Sequence, residues 1–125
     1  VSGIGPANLI TFIETVPPYW TIGQESFFLR VGNPETEADF LASRSPLNYV
    51  ERIEIPMLLL YGANDPRVKL SEGEQISAAL EEAGVDYEYV VYENEGHGFA
   101  RPENRLDAYR RVELFLAEHL GGRAE

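Results

Sequence analysis

Two runs of apolar residues in the second half of the chain have the pattern of buried strands. Residues 55–61 are apolar without alternation, which is typical of a strand covered on both faces in a parallel sheet. Residues 87–92, rich in tyrosine and valine, predict the next strand, and a glycine-containing turn follows each run. Residues 1–5 have the pattern of a third buried strand that ends in a glycine turn.

Apolar residues at helical spacing predict helices around these strands. The pattern indicates helices over residues 8–16, 71–83 and 104–120. Residues 19–31 are aromatic and irregular, and they predict a loop with a short helical piece. The apolar stripe of the last helix is expected to consist of Leu106, Tyr109, Val112, Leu116 and Leu120.

Capping residues predict where several helices begin. Asn33 and Ser45 each precede a proline, the usual arrangement of an N-cap followed by proline in the first turn. The second of these predicts a short helix that ends near Val50. Ser71 with Glu74 three residues later has the spacing of a capping box.

The order of these elements is strand, helices, strand, helix, strand, helix. Alternation of this kind predicts an α/β fold with a parallel sheet and right-handed crossovers. About three strands can be counted, fewer than a doubly wound domain normally carries. No repeat or low-complexity linker interrupts the chain, so we expect one partial domain over residues 1–125. The chain begins at Val1 and its only methionine is Met57, which suggests a fragment.

Composition and charge narrow the classes of partner. Lys and Arg number 10 and Asp and Glu 21, so the net charge is −11. An acidic surface argues against binding to nucleic acid and to anionic membranes. A hydrophobic content of 44% is ordinary for a chain that buries a core, which argues against disorder.

The chain contains no cysteine, which excludes a disulfide framework and a thiol nucleophile. The longest uninterrupted apolar run, residues 57–61, is far shorter than a membrane span, and no signal peptide is visible. These features are compatible with a reducing compartment, and we expect a cytoplasmic location.

Two residues with catalytic chemistry follow consecutive predicted strands. Asp65 lies just after the first of these strands and His97 just after the next, 32 residues later. Because functional groups collect at the carboxyl ends of parallel strands, which lie about 4.8 Å apart, the two side chains can meet. The aspartate would then fix the imidazole tautomer and make the histidine a general base. Each residue alone could be ordinary turn chemistry, and their joint placement favours function.

Other candidate residues have weaker signals. Asp65, Glu95 and His97 would form only a loose ligand set without a recognised spacing, so we predict no metal and no cofactor. His119 lies in the last turn of the last helix, where a cation is favourable, and is interpreted as a surface residue.

Three residues are candidates for substrate binding. Tyr19 and Trp20 can line an apolar specificity pocket, although a core or lid contact explains them equally well. Arg67 can reach a substrate carbonyl or carboxylate, and an ion pair with a nearby acid is the alternative.

Two motifs carry a resemblance to a known family. Residues 56–68 (PMLLLYGANDPRV) and 95–99 (EGHGF) resemble the last third of an α/β-hydrolase. Within that fold the chain is similar to the prolyl oligopeptidase family of dipeptidyl and acylaminoacyl peptidases. The resemblance covers residues 1–120. It implies that Asp65 is the acid and His97 the base of a Ser-Asp-His triad, and it places Trp20 in a segment that borders the substrate pocket.

The nucleophile expected from that resemblance is missing. Such enzymes carry their serine in a Gly-x-Ser-x-Gly motif, which precedes the acid and the base. Ser2 is the nearest imitation, but its flanking glycines do not fit. We therefore expect the serine and the oxyanion hole upstream of Val1, and an inactive isolated chain. No serine stands in the motif; the six are Ser2, Ser26, Ser43, Ser45, Ser71 and Ser77.

Several functional classes stay open at this point. The complete enzyme would act on a peptide or an ester, and the triad alone does not separate peptidase from carboxylesterase. A non-catalytic, self-associating α/β module is a second reading. A receiver-like domain is a third, but it predicts an acidic cluster on the first strand and a later lysine, and neither is evident.

A partial sheet predicts self-association. One strand edge and apolar helix faces would be uncovered, and both favour pairing with a second chain. We expect a homodimer or larger closed oligomer joined through the N-terminal third, unless residues 6–31 fold back over the edge. The residues expected on the uncovered surface are Leu9, Phe12, Ile13, Phe27, Phe28 and Leu29.

Overall fold

A three-stranded parallel sheet forms the centre of the fold. The computed structural model describes residues 1–17 and 19–124. The strands are β1 (Ser2–Gly3), β2 (Met57–Gly62) and β3 (Tyr87–Tyr92), in the spatial order β1-β2-β3. The predicted partial parallel sheet is therefore confirmed.

Helices cover both faces of this sheet. The helices are α1 (Leu9–Glu14), α2 (Thr21–Arg30), α3 (Ala38–Arg44), a 3₁₀ helix (Pro46–Arg52), α4 (Leu70–Glu82) and α5 (Pro102–Leu120). One face of the sheet packs against α4 and against the segments around α1 and the 3₁₀ helix, and the other face packs against α5.

The central strand β2 joins two core clusters, which explains its unbroken apolar sequence. Leu59 and Tyr61 belong to the first core cluster, with Ile76 and Leu80 of α4 among its other members. Leu58 and Leu60 face the opposite way and pack with Tyr92 and Ala108 in the second core cluster. Because successive side chains of a strand point to opposite faces, a strand covered on both sides needs apolar residues at every position.

A polar network anchors α5 to β3. The Tyr92 hydroxyl donates to Asp107 Oδ2 at 2.8 Å, and Arg111 Nε donates to the same oxygen at 2.7 Å. Arg111 also pairs with Glu88 of β3 at 2.6 Å. Burial and the hydrogen bond to Asp107 raise the pKa of Tyr92 to about 12, against the opposing effect of Arg111. These contacts hold the first half of α5 along β3.

The prediction for residues 19–31 was wrong, because it underestimated the length of the helix. The segment contains the ten-residue helix α2 rather than a loop with a short helical piece. Its apolar residues do not form one clear stripe, and a tertiary contact compensates: Phe27 packs edge-on against Phe12 of α1 with ring centroids 5.5 Å apart. Tertiary packing of this kind overrides a weak local pattern.

Two predicted helix starts were also wrong. After Asn33 the chain makes a turn, in which the Asn33 side chain accepts from Glu35 N at 2.9 Å, and α3 begins only at Ala38. No capping box forms at Ser71, because α4 already begins at Leu70. Side chains such as asparagine and serine bond to nearby backbone groups in turns as readily as at helix starts, so their spacing alone does not separate the two.

The predicted stripe of α5 was mostly wrong. Of its five residues, only Val112 packs against the second core cluster, together with Ala108 and Phe115. The helix carries two apolar faces, and the sheet contacts the face with the small Ala108, which permits close approach. The other four predicted residues are exposed: Leu106, Tyr109, Leu116 and Leu120.

The predicted uncovered surface in the N-terminal third was partly wrong. Leu29 is 86% exposed, as expected. Ile13 is completely buried, and Phe12 packs against the first core cluster. The reason is that α1 packs against α3 within the same chain, so its apolar face is already covered.

Candidate active site

Backbone hydrogen bonds join the loop that follows β2 to the loop that follows β3. Ala63 N donates to Tyr92 O at 3.0 Å, and Asn64 N donates to Glu95 O at 2.9 Å. The Asn64 side chain adds a bond from Nδ2 to Glu93 O at 2.6 Å. The two loops therefore continue side by side beyond the strands, and the residues that follow them are held at one edge of the sheet.

The structure brings Asp65 and His97 together. Asp65 Oδ2 lies 2.8 Å from His97 Nδ1. Asp65 is 3% exposed, and its other oxygen, Oδ1, accepts from the backbone N–H groups of Arg67 at 2.7 Å and Val68 at 3.0 Å. These bonds hold the carboxylate at a fixed orientation beneath the imidazole.

His97 is presented at the tip of a tight loop. Gly96 and Gly98 pair with each other as an antiparallel bridge, and Gly98 has a φ of 99°, a conformation that favours glycine. The side chain of His97 is 36% exposed, while that of Asp65 is fully buried. One edge of the imidazole therefore contacts a buried carboxylate, and part of the ring is accessible to solvent.

This arrangement has the geometry of an oriented general base. An ionised carboxylate can only accept, so its contact with Nδ1 assigns the ring proton to Nδ1 and leaves the Nε2 lone pair free. Such an imidazole can take a proton from a hydroxyl at Nε2, and the carboxylate stabilises the resulting cation.

The structure also brings Trp20 and Arg67 together, and Tyr19 adjoins them. The Arg67 guanidinium lies over the Trp20 ring, 5.7 Å from its centroid. The Tyr19 ring meets Trp20 edge-on at 6.4 Å and is otherwise largely exposed. Within the part of the chain that the structure describes, Arg67 takes part in no ion pair, so the alternative of a pairing acid is not observed. Trp20 borders a surface cavity of about 330 Å³ that Phe27 also lines.

Glu95 does not join Asp65 and His97 as a possible metal ligand. Its carboxylate accepts hydrogen bonds from residues 100–104 instead. No group of three His, Cys, Asp or Glu side chains suited to a metal ion occurs among the described residues. The structural role of Glu95 was not predicted, and its position directly before Gly96 and His97 is the local signal in the sequence that points to it.

His119 lies away from this site, in the last turn of α5. It is exposed, and its ring packs edge-on against Phe115 with centroids 4.5 Å apart. Of the two histidines of the chain, only His97 contacts a carboxylate among the residues described.

Comparison with known proteins identifies the family. The sequence model of the Prolyl oligopeptidase family matches residues 13–123. The chain belongs to the prolyl oligopeptidase family. Within this family it is 48% identical over 124 residues to dipeptidyl aminopeptidase BIII of Pseudoxanthomonas mexicana, and 38% identical over 125 residues to dipeptidyl peptidase family member 6 of Caenorhabditis elegans. Both alignments cover 98% of this chain but only 18% and 17% of the respective relative.

Solved structures of peptidases share the fold. A puromycin-hydrolysing peptidase of Mycobacterium tuberculosis superposes with a TM-score of 0.87 and 30% identity, over 98% of this chain and 18% of that one. Pyrococcus horikoshii acylaminoacyl peptidase superposes with a TM-score of 0.85 over 99% and 20%, and at 21% identity it supports the fold alone. The expected fold, the C-terminal part of an α/β-hydrolase, is thereby confirmed.

No helix within residues 1–17 and 19–124 has the length and apolar content needed to cross a membrane.

Proposed function

We propose that this chain is the acid- and base-bearing part of a serine peptidase, in which Asp65 and His97 act on a serine supplied by a segment upstream of Val1. The observation that carries the proposal is the 2.8 Å contact between Asp65 Oδ2 and His97 Nδ1 at the ends of adjacent parallel strands. Residues 1–125 would then form one partial catalytic domain that lacks the nucleophile-bearing half.

In the proposed reaction His97 transfers the protons and Asp65 stabilises the charged imidazole. His97 Nε2 takes the proton of the serine hydroxyl as the serine oxygen attacks the substrate carbonyl carbon. The imidazolium then gives that proton to the leaving amine nitrogen, and an acyl-serine ester remains. Water repeats the two proton transfers and releases the acid. Asp65 stays ionised throughout and stabilises the imidazolium.

The substrate of the proposed enzyme is a peptide. Two of the relatives carry the names dipeptidyl aminopeptidase and dipeptidyl peptidase, which favours a peptide over the ester that a carboxylesterase would take. Trp20 and Arg67, with Tyr19 beside them, are the proposed contacts to the substrate. Arg67 is suited to this role because its backbone N–H binds Asp65, which places the residue next to the catalytic pair.

The isolated chain is expected to be inactive. A base without its nucleophile and oxyanion donors retains little of the catalytic machinery, and none of the six serines stands in a Gly-x-Ser-x-Gly motif. The measurement is incubation of the pure chain with an activated ester and with a fluorophosphonate probe, with mass spectrometry of the protein. Stoichiometric labelling of any serine, accompanied by turnover, would contradict this prediction.

The triad itself is tested by extending the chain upstream with its own coding sequence until a Gly-x-Ser-x-Gly motif is included. In an active extended protein, His97→Ala should lower kcat by about 10⁴-fold or more, because the serine loses its base. His119→Ala is the matched control, since His119 is the only other histidine and lies on α5. Equal activity of the His97 variant and the control would refute the assigned base.

Self-association remains a prediction. In the N-terminal third, Ile22 and Leu29 of α2 are more than four-fifths exposed, and Tyr19 is also exposed. Apolar side chains of this size favour contact with a second copy of the chain. Static light scattering at micromolar concentration tests this expectation, and a monodisperse monomer of 14.0 kDa would contradict it.

We also propose the cytoplasm as the compartment, because the 125 residues contain no cysteine.

A further inference from the structure

Glu95 is a buried carboxylate between the end of β3 and the start of α5. The residue is 2% exposed. Its Oε2 accepts from Ala100 N at 2.9 Å, and its Oε1 accepts from Arg101 N at 2.9 Å and from Asn104 Nδ2 at 2.9 Å. Burial acts to raise the pKa of Glu95, but these hydrogen bonds and the Arg101 charge outweigh burial and hold the pKa below its ordinary value.

The same residue holds both ends of the loop that carries His97. At the start of the loop, the backbone oxygen of Glu95 accepts from Asn64 N, one residue before Asp65. At the end of the loop, the Glu95 side chain binds the backbone of Ala100 and Arg101. Residues 96–99 are thereby closed into a short loop, with one end attached to the loop that carries Asp65 and the other to the first turn of α5.

We propose that Glu95 is a positioning residue, which closes this loop and so keeps His97 Nδ1 on Asp65 Oδ2. The inference rests on the proposed function only in that His97 serves as a base; the positioning concerns the imidazole of this chain. Without the carboxylate, Ala100 N and Arg101 N would lose their acceptor, and the end of the loop would keep only weaker attachments: the bond from Arg101 Nε to Asn94 O at 3.2 Å and the packing of the Phe99 ring 4.7 Å from Tyr92. His97 would then sample positions away from Asp65.

The chemistry of the site requires a carboxylate and not an amide. All three partners of Glu95 are donors, and an ionised carboxylate accepts at both oxygens. Glutamine has the same shape but would direct an NH₂ group at one of these donors. Glu95→Gln therefore leaves the packing of the site nearly unchanged and removes the hydrogen bonds made by one of the two carboxylate oxygens.

The experiment measures the tautomer of His97 by ¹⁵N NMR of the imidazole in the 125-residue chain, at a pH where the ring is neutral. In the unaltered chain the Nδ1–H tautomer should predominate, because Asp65 accepts that proton. Glu95→Gln should lower the ratio of Nδ1–H to Nε2–H by about fivefold, the factor that an ordinary hydrogen bond provides. A residue that merely caps α5 would leave this ratio unchanged.

The matched control is Glu93→Gln, which removes the same charge two residues earlier at an exposed position. It should leave the His97 ratio unchanged, and the imidazole of His119 should not respond to either variant. If Glu95→Gln unfolds the chain, Asn104→Ala decides, because it removes one donor and should shift the ratio in the same direction by a smaller factor.

Three results would overturn the proposal: an unchanged ratio in folded Glu95→Gln, an equal shift in Glu93→Gln, or no Nδ1–H preference in the unaltered chain. These outcomes are separate from failure of the proposed function. An extended protein that shows no hydrolysis would refute the triad, whereas a shifted His97 tautomer in Glu95→Gln would still support the positioning role.

Discussion

Replacing Gly62 with alanine should lower the free energy of unfolding by about 3 kcal/mol, the upper range for an added methyl group in a closely packed site. Gly62 ends β2, where the backbone of the His97 loop passes directly over it. A Cβ on Gly62 would clash with the backbone oxygen of Gly96 and would lie 2.7 Å from that of Glu95. Backbone atoms cannot turn aside as a flexible side chain can, so the two loops would have to separate.

The separation should also disturb the candidate catalytic pair. The bond from Asn64 N to Glu95 O lies next to this contact and would lengthen as the loops move apart. Urea denaturation followed by circular dichroism measures the stability change, and NMR of the His97 imidazole reports on its contact with Asp65. Both should change in the Gly62→Ala variant.

Gly3→Ala is the matched control, since a Cβ at this glycine of β1 meets no atom within 4 Å. Its effect should stay within about 0.5 kcal/mol, as for an ordinary surface substitution. If the two alanine variants proved equally stable, the close approach of the His97 loop to β2 would be wrong.

The pairing of Asp65 with His97 was predictable from the sequence because it follows from topology. Each residue comes directly after a strand that its apolar run identified, and parallel strands end at the same edge of a sheet. No side-chain detail was needed for that inference. The same reasoning gave the three parallel strands and the positions of α4 and α5, whose patterns are local.

The structural roles that could not be predicted from the sequence depend on contacts that only the folded chain creates. The choice between the two apolar faces of α5 depends on the small Ala108 meeting the sheet, which helical spacing does not encode. Helix α2 depends on Phe27 meeting Phe12 from another helix. Glu95 looks like an ordinary surface acid in the sequence, and only the fold shows that the start of α5 surrounds it with donors.

Glu72 is a further case, because three of its hydrogen-bond donors lie more than 60 residues away in the sequence. It is completely buried in the first turn of α4. Its Oε2 accepts from the backbone N–H groups of Ala7 at 2.9 Å and Asn8 at 2.8 Å, and its Oε1 accepts from the Thr11 hydroxyl at 2.5 Å. One side chain thus attaches the connection between β1 and α1 to the helix that follows the Asp65 loop.

Glu72→Ala should therefore lower the free energy of unfolding by about 3 kcal/mol, because it leaves buried donors without an acceptor. Glu72→Gln should cost less, about 1–2 kcal/mol, since its carbonyl can serve the two backbone N–H groups while its NH₂ group faces the Thr11 oxygen. Glu74→Ala, in the same turn but exposed, is the control and should change stability by less than about 0.5 kcal/mol.

Hydrogen exchange locates the loss that these substitutions cause. The amides of Ala7 and Asn8 should exchange faster in Glu72→Ala than in Glu74→Ala. The exchange rates of the β2 amides should change only as far as the global free energy of unfolding changes. Because Leu47 N donates to Ala7 O, release of this segment also frees the start of the 3₁₀ helix. Unchanged protection of Ala7 and Asn8 in Glu72→Ala would show that the carboxylate does not hold the β1–α1 connection in place.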